Sequence, residues 1–260
     1  MIRKLRNLFF RIWYWYISVI DKNADVVFMN YGYSKNNERI VLSEEDEINR
    51  YSIQLYHHTV SPANLKGLKI LEVGCGRGGG LSYINNNMLP NSSTGVDIGN
   101  EAIQFCKKHY KEKNISFFQC DAQMLTFEDN HFDVVINIES SHRYPKVDLF
   151  FNEVYRVLKP GGYFLFTDFR KDYKVEELES QLKESKLISE SKKDITDSVL
   201  EALTLTTPER IRLIKKLTPK FLHELGRNFS ATVGTPTYIK FQTRKLLYLS
   251  YVLKKPVSPA

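Results

Sequence analysis

The chain has 260 residues, 42% of them hydrophobic, enough to bury the core of one enzyme-sized unit without disulfide or metal staples. Its formal charge of +7 is local: residues 1–22 carry five basic and one acidic side chain, residues 210–255 eleven and one, and the stretch between 21 against 28. The middle of the chain therefore has no general affinity for a phosphate backbone, and no nucleic-acid-reading module accompanies the basic ends, so no nucleic-acid partner is expected.

At the N-terminus, Leu5, Leu8, Phe9, Phe10, Ile12, Trp13, Tyr14, Trp15, Tyr16, Ile17, Val19 and Ile20 crowd a segment edged by Arg3, Lys4, Arg6 and Arg11. The stretch is shorter than the ~20 residues a membrane helix needs, and it lacks a secretory cleavage site. Two readings stay open: a helix lying in the headgroup layer of a membrane, or a helix that covers a binding-site mouth or makes a homodimer contact.

The stretch LEVGCGRGGG at 71–80 follows an apolar run, Lys69 to Val73, that reads as a buried parallel strand, and Leu81 to Ile84 resumes a helical pattern. Gly74, Gly76 and Gly78 let the backbone turn tightly and approach a ligand. Gly74, Gly76 and Gly79 also satisfy the GxGxxG spacing of dinucleotide binders, so this turn alone does not choose a nucleotide. Further strands are expected at Ser93 to Ile98, Ile115 to Asp121, Phe132 to Ile138 and Tyr163 to Phe169, with a helix at Val147 to Leu158 stopped by Lys159-Pro160-Gly161-Gly162. Acids stand at or near the strand ends: Asp97, placed to accept both ribose hydroxyls of an adenosine, Asp121, Glu139 and Asp168. This is the order of an open α/β sheet with helices on both faces. Cys75, Cys106 and Cys120 have no metal-ligand spacing and read as reduced packing residues of a cytoplasmic protein, and no metal is expected.

Beyond the sheet core, Tyr173 to Lys186 reads as a charged helix and Ile188 to Lys193 as a short strand or turn. Thr207-Pro208, Thr218-Pro219 and Thr235-Pro236 each place a capping hydroxyl before a proline suited to a first helical turn, and Gly226 offers a stop. Arg210, Arg212, Lys215, Lys216 and Lys220 read as a solvated face, with contact to an anionic membrane the alternative, and Leu246 to Leu253 as the last strand.

Taken together, acid-x-Gly-x-Gly-x-Gly at 72–78, the acid Asp97, Asp121-Ala122 and Leu158-Lys159-Pro160-Gly161-Gly162 resemble the class I S-adenosylmethionine (SAM)-dependent methyltransferases over roughly residues 65–170. FMNYGY at 28–33, EEDE at 44–47, YSIQLYHH at 51–58 and ESSHRYP at 139–145 are similar to the bacterial methyltransferases acting on phthiotriol and phenolphthiotriol lipids. The acid two residues before Gly74 and the Pro-Gly-Gly block speak against a nicotinamide oxidoreductase. The resemblance implies a Rossmann-like α/β sheet, mostly parallel with an antiparallel last strand. It also implies a helical lid over residues 1–60, a methyltransferase domain over 61–260 and a helical cap at about 196–245. It implies SAM as donor, with S-adenosylhomocysteine as product. Glu72 and the turn Gly74, Cys75 and Gly76 would hold the methionine end, Asp97 with Ile98 the ribose, and Asp121 with Ala122 the adenine edge. Asn137 and Tyr33 join the cofactor set, Tyr31 and Tyr33 closing over the donor methyl.

Methyl transfer from a sulfonium is an in-line displacement, and a neutral acceptor must lose its proton as it attacks. His142 lies just beyond the fourth strand and is the candidate base, with Asp168 on the adjacent strand to orient it or line the acceptor pocket; His57 or His58 is the reserve. The favoured activity is O-methylation of a hydrophobic small molecule or lipid. A C-methyltransferase of sterol or quinone type and a non-catalytic SAM-binding protein are the alternatives.

Overall fold

The computed structural model describes residues 16, 19–21 and 23–257. Most of the aromatic N-terminal segment therefore lies outside the described residues, although Tyr16, Val19 and Ile20 within it are helical. Seven strands, β1 (Lys69–Val73), β2 (Ser92–Asp97), β3 (Ile115–Gln119), β4 (Phe132–Ile138), β5 (Leu158–Lys171), β6 (Ile188–Asp194) and β7 (Leu246–Lys254), form one sheet in the order β3-β2-β1-β4-β5-β7-β6. The pairs β3-β2, β2-β1, β1-β4 and β4-β5 are parallel, whereas β7 runs antiparallel to both neighbours. The expected sheet is thus the observed one, and its order reverses between β1 and β4, where open α/β sheets bind ligands at the strands' carboxyl ends.

Helices α1 (Arg50–Val60), α2 (Gly79–Met88), α3 (Asn100–His109), α4 (Val147–Val157) and α5 (Val175–Glu184) cover the sheet, with α6 (Thr196–Leu217), α7 (His223–Phe229) and α8 (Pro236–Gln242) inserted before β7. Alternation along the strands sorts side chains into two cores. Ile70, Val134, Ile136, Leu165 and Tyr248 pack with Ile53, Ile84 and Phe241 on one face. Leu71, Val135, Phe164 and Phe166 pack with Phe150, Phe151 and Leu178 on the other.

The inserted helices depart from the capping expectations. Pro208 lies inside the 22-residue helix α6 instead of starting a helix. Thr204, Thr206 and Thr207, in the turn before the proline, each donate a hydroxyl hydrogen bond to the carbonyl four residues back. Thr218 likewise donates to Ile214 O at 2.7 Å and closes α6 without capping the next turn. Only Thr235 caps as expected, accepting from Tyr238 N ahead of Pro236. Gly226 sits within α7 and does not end it. Arg210 is also no part of a solvated face. Its guanidinium donates to Asn30 O, Tyr31 O and Ser230 O, tying α6 to the segment that precedes α1.

Candidate active site

The first glycine turn is shaped by sterics at its floor. Gly74, Gly76 and Gly78 have φ of 78°, 53° and 78°, the left-handed region that side chains avoid. A Cβ on Gly74 would stand 2.3 Å from Ser140 Oγ, so this glycine is required by a neighbour as well as by its own backbone. Gly76 N donates to Asp97 Oδ2 at 3.0 Å and Gly99 N to Asp97 Oδ1 at 2.8 Å. Burial raises the Asp97 carboxyl above its ordinary value, against the pull of these amides. Ile98 beside it is 56% exposed, and Asp121 accepts from Gln123 N at 2.9 Å just beyond β3, with Ala122 buried next to it. Cys75 is buried against the turn.

Beside this turn, two side-chain oxygens, one on Glu72 and one on Asn137, have no hydrogen-bond partner among the described residues. Glu72 is fully buried; its Oε1 accepts from Tyr56 OH at 2.7 Å, and its Oε2 is left over. Asn137 donates through Nδ2 to Val73 O at 2.7 Å and Ser140 Oγ at 2.6 Å, and its Oδ1 is left over. Buried orphan acceptors are costly, and these two suit the cationic amino group of a methionine moiety. Burial pushes the Glu72 carboxyl up to about 8, which such a cation would reverse.

The N-terminal segment crosses this turn. Asp21 and Arg77 form an ion pair at 3.0 Å with side chains 1% and 0% exposed, and Arg77 also lies 3.8 Å from the Phe105 ring centroid. Met29 reaches Gly76, and Val27 O reaches Gly79 so closely that a Cβ there would stand 2.7 Å away. Tyr31 N then donates to Glu139 Oε1 at 2.5 Å, an oxygen that also accepts from Tyr248 OH. Burial raises the Glu139 carboxyl to about 8 despite these donors, and its φ of 48° marks a strained strand end. Of the two tyrosines expected over the donor methyl, Tyr31 lines the main cavity. Tyr33 instead stacks on His58 with ring centroids 4.3 Å apart.

His142 and Asp168 meet, as their strand positions require. His142 Nδ1 lies 2.8 Å from Asp168 Oδ1, and His142 N donates to Asp168 Oδ2 at 2.9 Å. Ser141 Oγ donates to the same Oδ2 at 2.7 Å, and Arg170 pairs with it at 3.0 Å. Burial alone would raise Asp168, but His142, Arg170 and Ser141 outweigh it and hold the carboxyl well below the usual carboxylate range. Because the carboxylate only accepts, His142 donates through Nδ1, leaving Nε2 with a lone pair and no partner among the described residues. Burial pushes the imidazole pKa down, against the pull of Asp168, so the ring is neutral at neutral pH.

A cavity of about 680 Å³ opens beside this pair, between the ends of β4 and β5 and the helices α5, α7 and α8. Its walls include Tyr31, Phe169, Leu178, Leu225 and Phe229. His57 is 3.0 Å from Tyr83 OH and His58 stacks on Tyr33, so neither reserve histidine reaches the cavity wall. Ser141, Arg170, Glu139 and the Asp21–Arg77 and Arg210 contacts were not singled out from sequence as site residues. Glu139 carried a sequence signal as the acid that follows the fourth strand, whereas Ser141 and Arg170 are signalled only by standing one and two residues from His142 and Asp168.

Fold and turn together define a SAM-dependent methyltransferase. A family model described as a methyltransferase domain matches residues 64–221, more than half of the chain, and the chain belongs to that family. It is 40% identical over 236 residues, 90% of this chain and 85% of the relative, to a fatty-acid O-methyltransferase of Mycolicibacterium smegmatis. It is 36% identical over 249 residues, 94% and 92% of the two chains, to a phthiotriol/phenolphthiotriol dimycocerosates methyltransferase of Mycobacterium tuberculosis. In fold it matches the geranyl diphosphate C-methyltransferase of Streptomyces coelicolor A3(2), with a TM-score of 0.64 over 91% of this chain and 92% of that one at 13% identity.

Proposed function

We propose that this methyltransferase acts on an oxygen of a lipid acceptor, with His142 as the base and Asp168 as its orienting partner. The observation that carries the reading is the unpartnered Nε2 of a neutral imidazole held by an ionised carboxylate beside a cavity with apolar walls. The names of the relatives at 36–40% identity support a lipid acceptor. SAM supplies an electrophilic methyl on a sulfonium. The glycine turn and Asp97 bind it, Glu72 Oε2 and Asn137 Oδ1 receive its amino group, and Ile98, Asp121 and Ala122 line its nucleoside end. His142 Nε2 would accept the hydroxyl proton as the acceptor oxygen attacks, and bound SAM would supply the methyl, with the bonding electron pair retained on sulfur as a neutral thioether. Tyr31 and the segment 21–34 act as the lid, α6 to α8 as the cap. Residues 1–20 add peripheral membrane contact to an otherwise cytoplasmic protein; among the described residues no helix is long and apolar enough to cross a membrane.

Arg143 and Arg170 in the cavity wall favour a second reading, in which the acceptor oxygen belongs to a carboxylate. That acceptor is already ionised and needs no base. Incubation with labelled donor, detergent-dispersed long-chain alcohols and fatty acids, followed by product mass, separates the two. An alkali-stable ether supports the hydroxyl reading and an alkali-labile methyl ester the carboxylate one. Methyl on carbon, or none on any lipid, overturns both.

A further inference from the structure

The cavity differs in chemistry between its floor and its rim. At the floor stand Ser141 and His142, buried or nearly so, with Phe169 beside them. At the rim stand Lys171, Tyr173 and Lys174, where β5 passes into α5, and Lys240 on α8 across the opening, all exposed. Tyr173 is 67% exposed, with the Lys171 ammonium 5.3 Å from its ring centroid, and Ile239 next to Lys240 is 44% exposed. Five cationic side chains line the cavity against two acids, Asp148 and Glu177; with Arg170 paired to Asp168 and Lys174 to Glu177, Lys171 and Lys240 carry the excess at the rim.

We propose that this rim is the face on which the protein docks to an anionic lipid bilayer, so that an acceptor enters oxygen first while its tail remains in the lipid. The proposal rests on the lipid-acceptor reading and adds to it the surface that meets the membrane. Three observations choose a bilayer as the occupant. The exposed tyrosine and its flanking lysines have the composition of the headgroup layer. The charge excess complements anionic lipid, each lysine near such a surface contributing measurably. The apolar walls lead inward from this rim to the proposed base, so a lipid lifted at the rim needs no further passage through water. Tyr16, which hydrogen-bonds Leu217 O at the C-terminal end of α6, is not among the residues that line the cavity.

Co-sedimentation with phosphatidylcholine vesicles, with and without phosphatidylglycerol, tests it on the full chain. Wild type should bind the anionic vesicles, and salt should weaken that binding. The double variant Lys171→Glu/Lys240→Glu should bind roughly tenfold or more weakly, and Tyr173→Ser several-fold more weakly. Unchanged SAM affinity in each shows that it folds. Anionic-vesicle binding that survives both sets of changes, or that is lost only on deleting residues 1–20, overturns the rim as the docking face. A wild type that methylates detergent-dispersed lipid yet ignores all vesicles also overturns the docking proposal and leaves the acceptor reading standing. Failure to methylate any lipid in detergent removes the acceptor reading, and the docking proposal with it.

Discussion

Around the glycine turn, backbone geometry and backbone amides do most of the shaping; around His142, side-chain hydrogen bonds and ion pairs do it. Gly74, Gly76 and Gly78 set their own φ, and Asp97 is held by the amides of Gly76 and Gly99. His142, the proposed base, is held instead by the Asp168 side chain, and the nearby Glu139 accepts from Tyr31 and Tyr248, 108 and 109 residues away. A donor site made of backbone geometry can be copied between proteins with unrelated acceptors. An acceptor site made of side chains from inserted helices can change without disturbing it. If the two halves are separable in this way, changes in one should leave the other's measurable quantity alone.

The largest effect is expected at His142. His142→Ala should lower turnover on a lipid alcohol by about 10²- to 10⁴-fold while SAM affinity, read by calorimetry, stays near wild type. The imidazole pKa is depressed, so the wild-type rate should be flat above neutrality and fall only on acidification below the ordinary histidine range. On a fatty acid the same variant should lose little, since the acceptor carries no proton. Near-wild-type turnover on an alcohol at neutral pH would place the base elsewhere.

Glu72 sharpens the donor side. Its carboxyl is raised in the folded state to about 8 by burial, above the ordinary value near 4.3. A group whose folded pKa is raised contributes stability that is complete below the unfolded value and is lost as pH climbs through the folded one. Without SAM, Glu72→Gln should therefore be nearly neutral at pH 4 and more stable than wild type by a few kcal/mol, to order of magnitude, by pH 8. It should also bind SAM more weakly, because the carboxylate proposed to answer the donor's amino group is gone. Melting curves that run parallel across this range would show that Glu72 does not titrate as its burial implies.

Asp97→Ala removes the acceptor of two backbone amides and of the expected ribose hydroxyls. SAM affinity should fall by about 1 to 3 kcal/mol, while kcat at saturating donor stays within a few-fold. Wild-type affinity, or a collapse in kcat at saturation, would show that the halves are not separable here.

The same contrast explains what could be read from the chain before its structure. β1 to β5 and β7 overlap the apolar runs that the sequence offers, because alternation and glycine spacing are local signals, whereas the mostly exposed β6 was equally readable as a turn. The His142–Asp168 pair was also accessible, since knowing that β4 and β5 are parallel neighbours brings their carboxyl ends together. The inserted helices were less legible. Threonine before proline signals a helix start only when the threonine side chain turns forward; at Thr207 and Thr218 it turns back to the preceding helix. Arg210 looked like its basic neighbours because nothing within a few residues reveals that its partners are carbonyls 179 and 180 positions away.

Arg210 is where the separation should fail, and by the smallest margin. It reaches from α6 to the carbonyls of Asn30 at 3.2 Å and Tyr31 at 3.0 Å, while Thr206 Oγ1 accepts from its Nε at 2.8 Å. The segment it holds covers the glycine turn through Met29 and lines the acceptor cavity through Tyr31. Arg210→Lys keeps the charge but cannot reproduce the planar fork that bridges two carbonyls. Losing one such bond should cost about 1 kcal/mol, a change of roughly fivefold. Because the segment touches both halves, the loss should appear in SAM affinity and in turnover together, unlike the one-sided effects at Asp97 and His142. A change confined to one of the two would show that the segment serves only that half of the site.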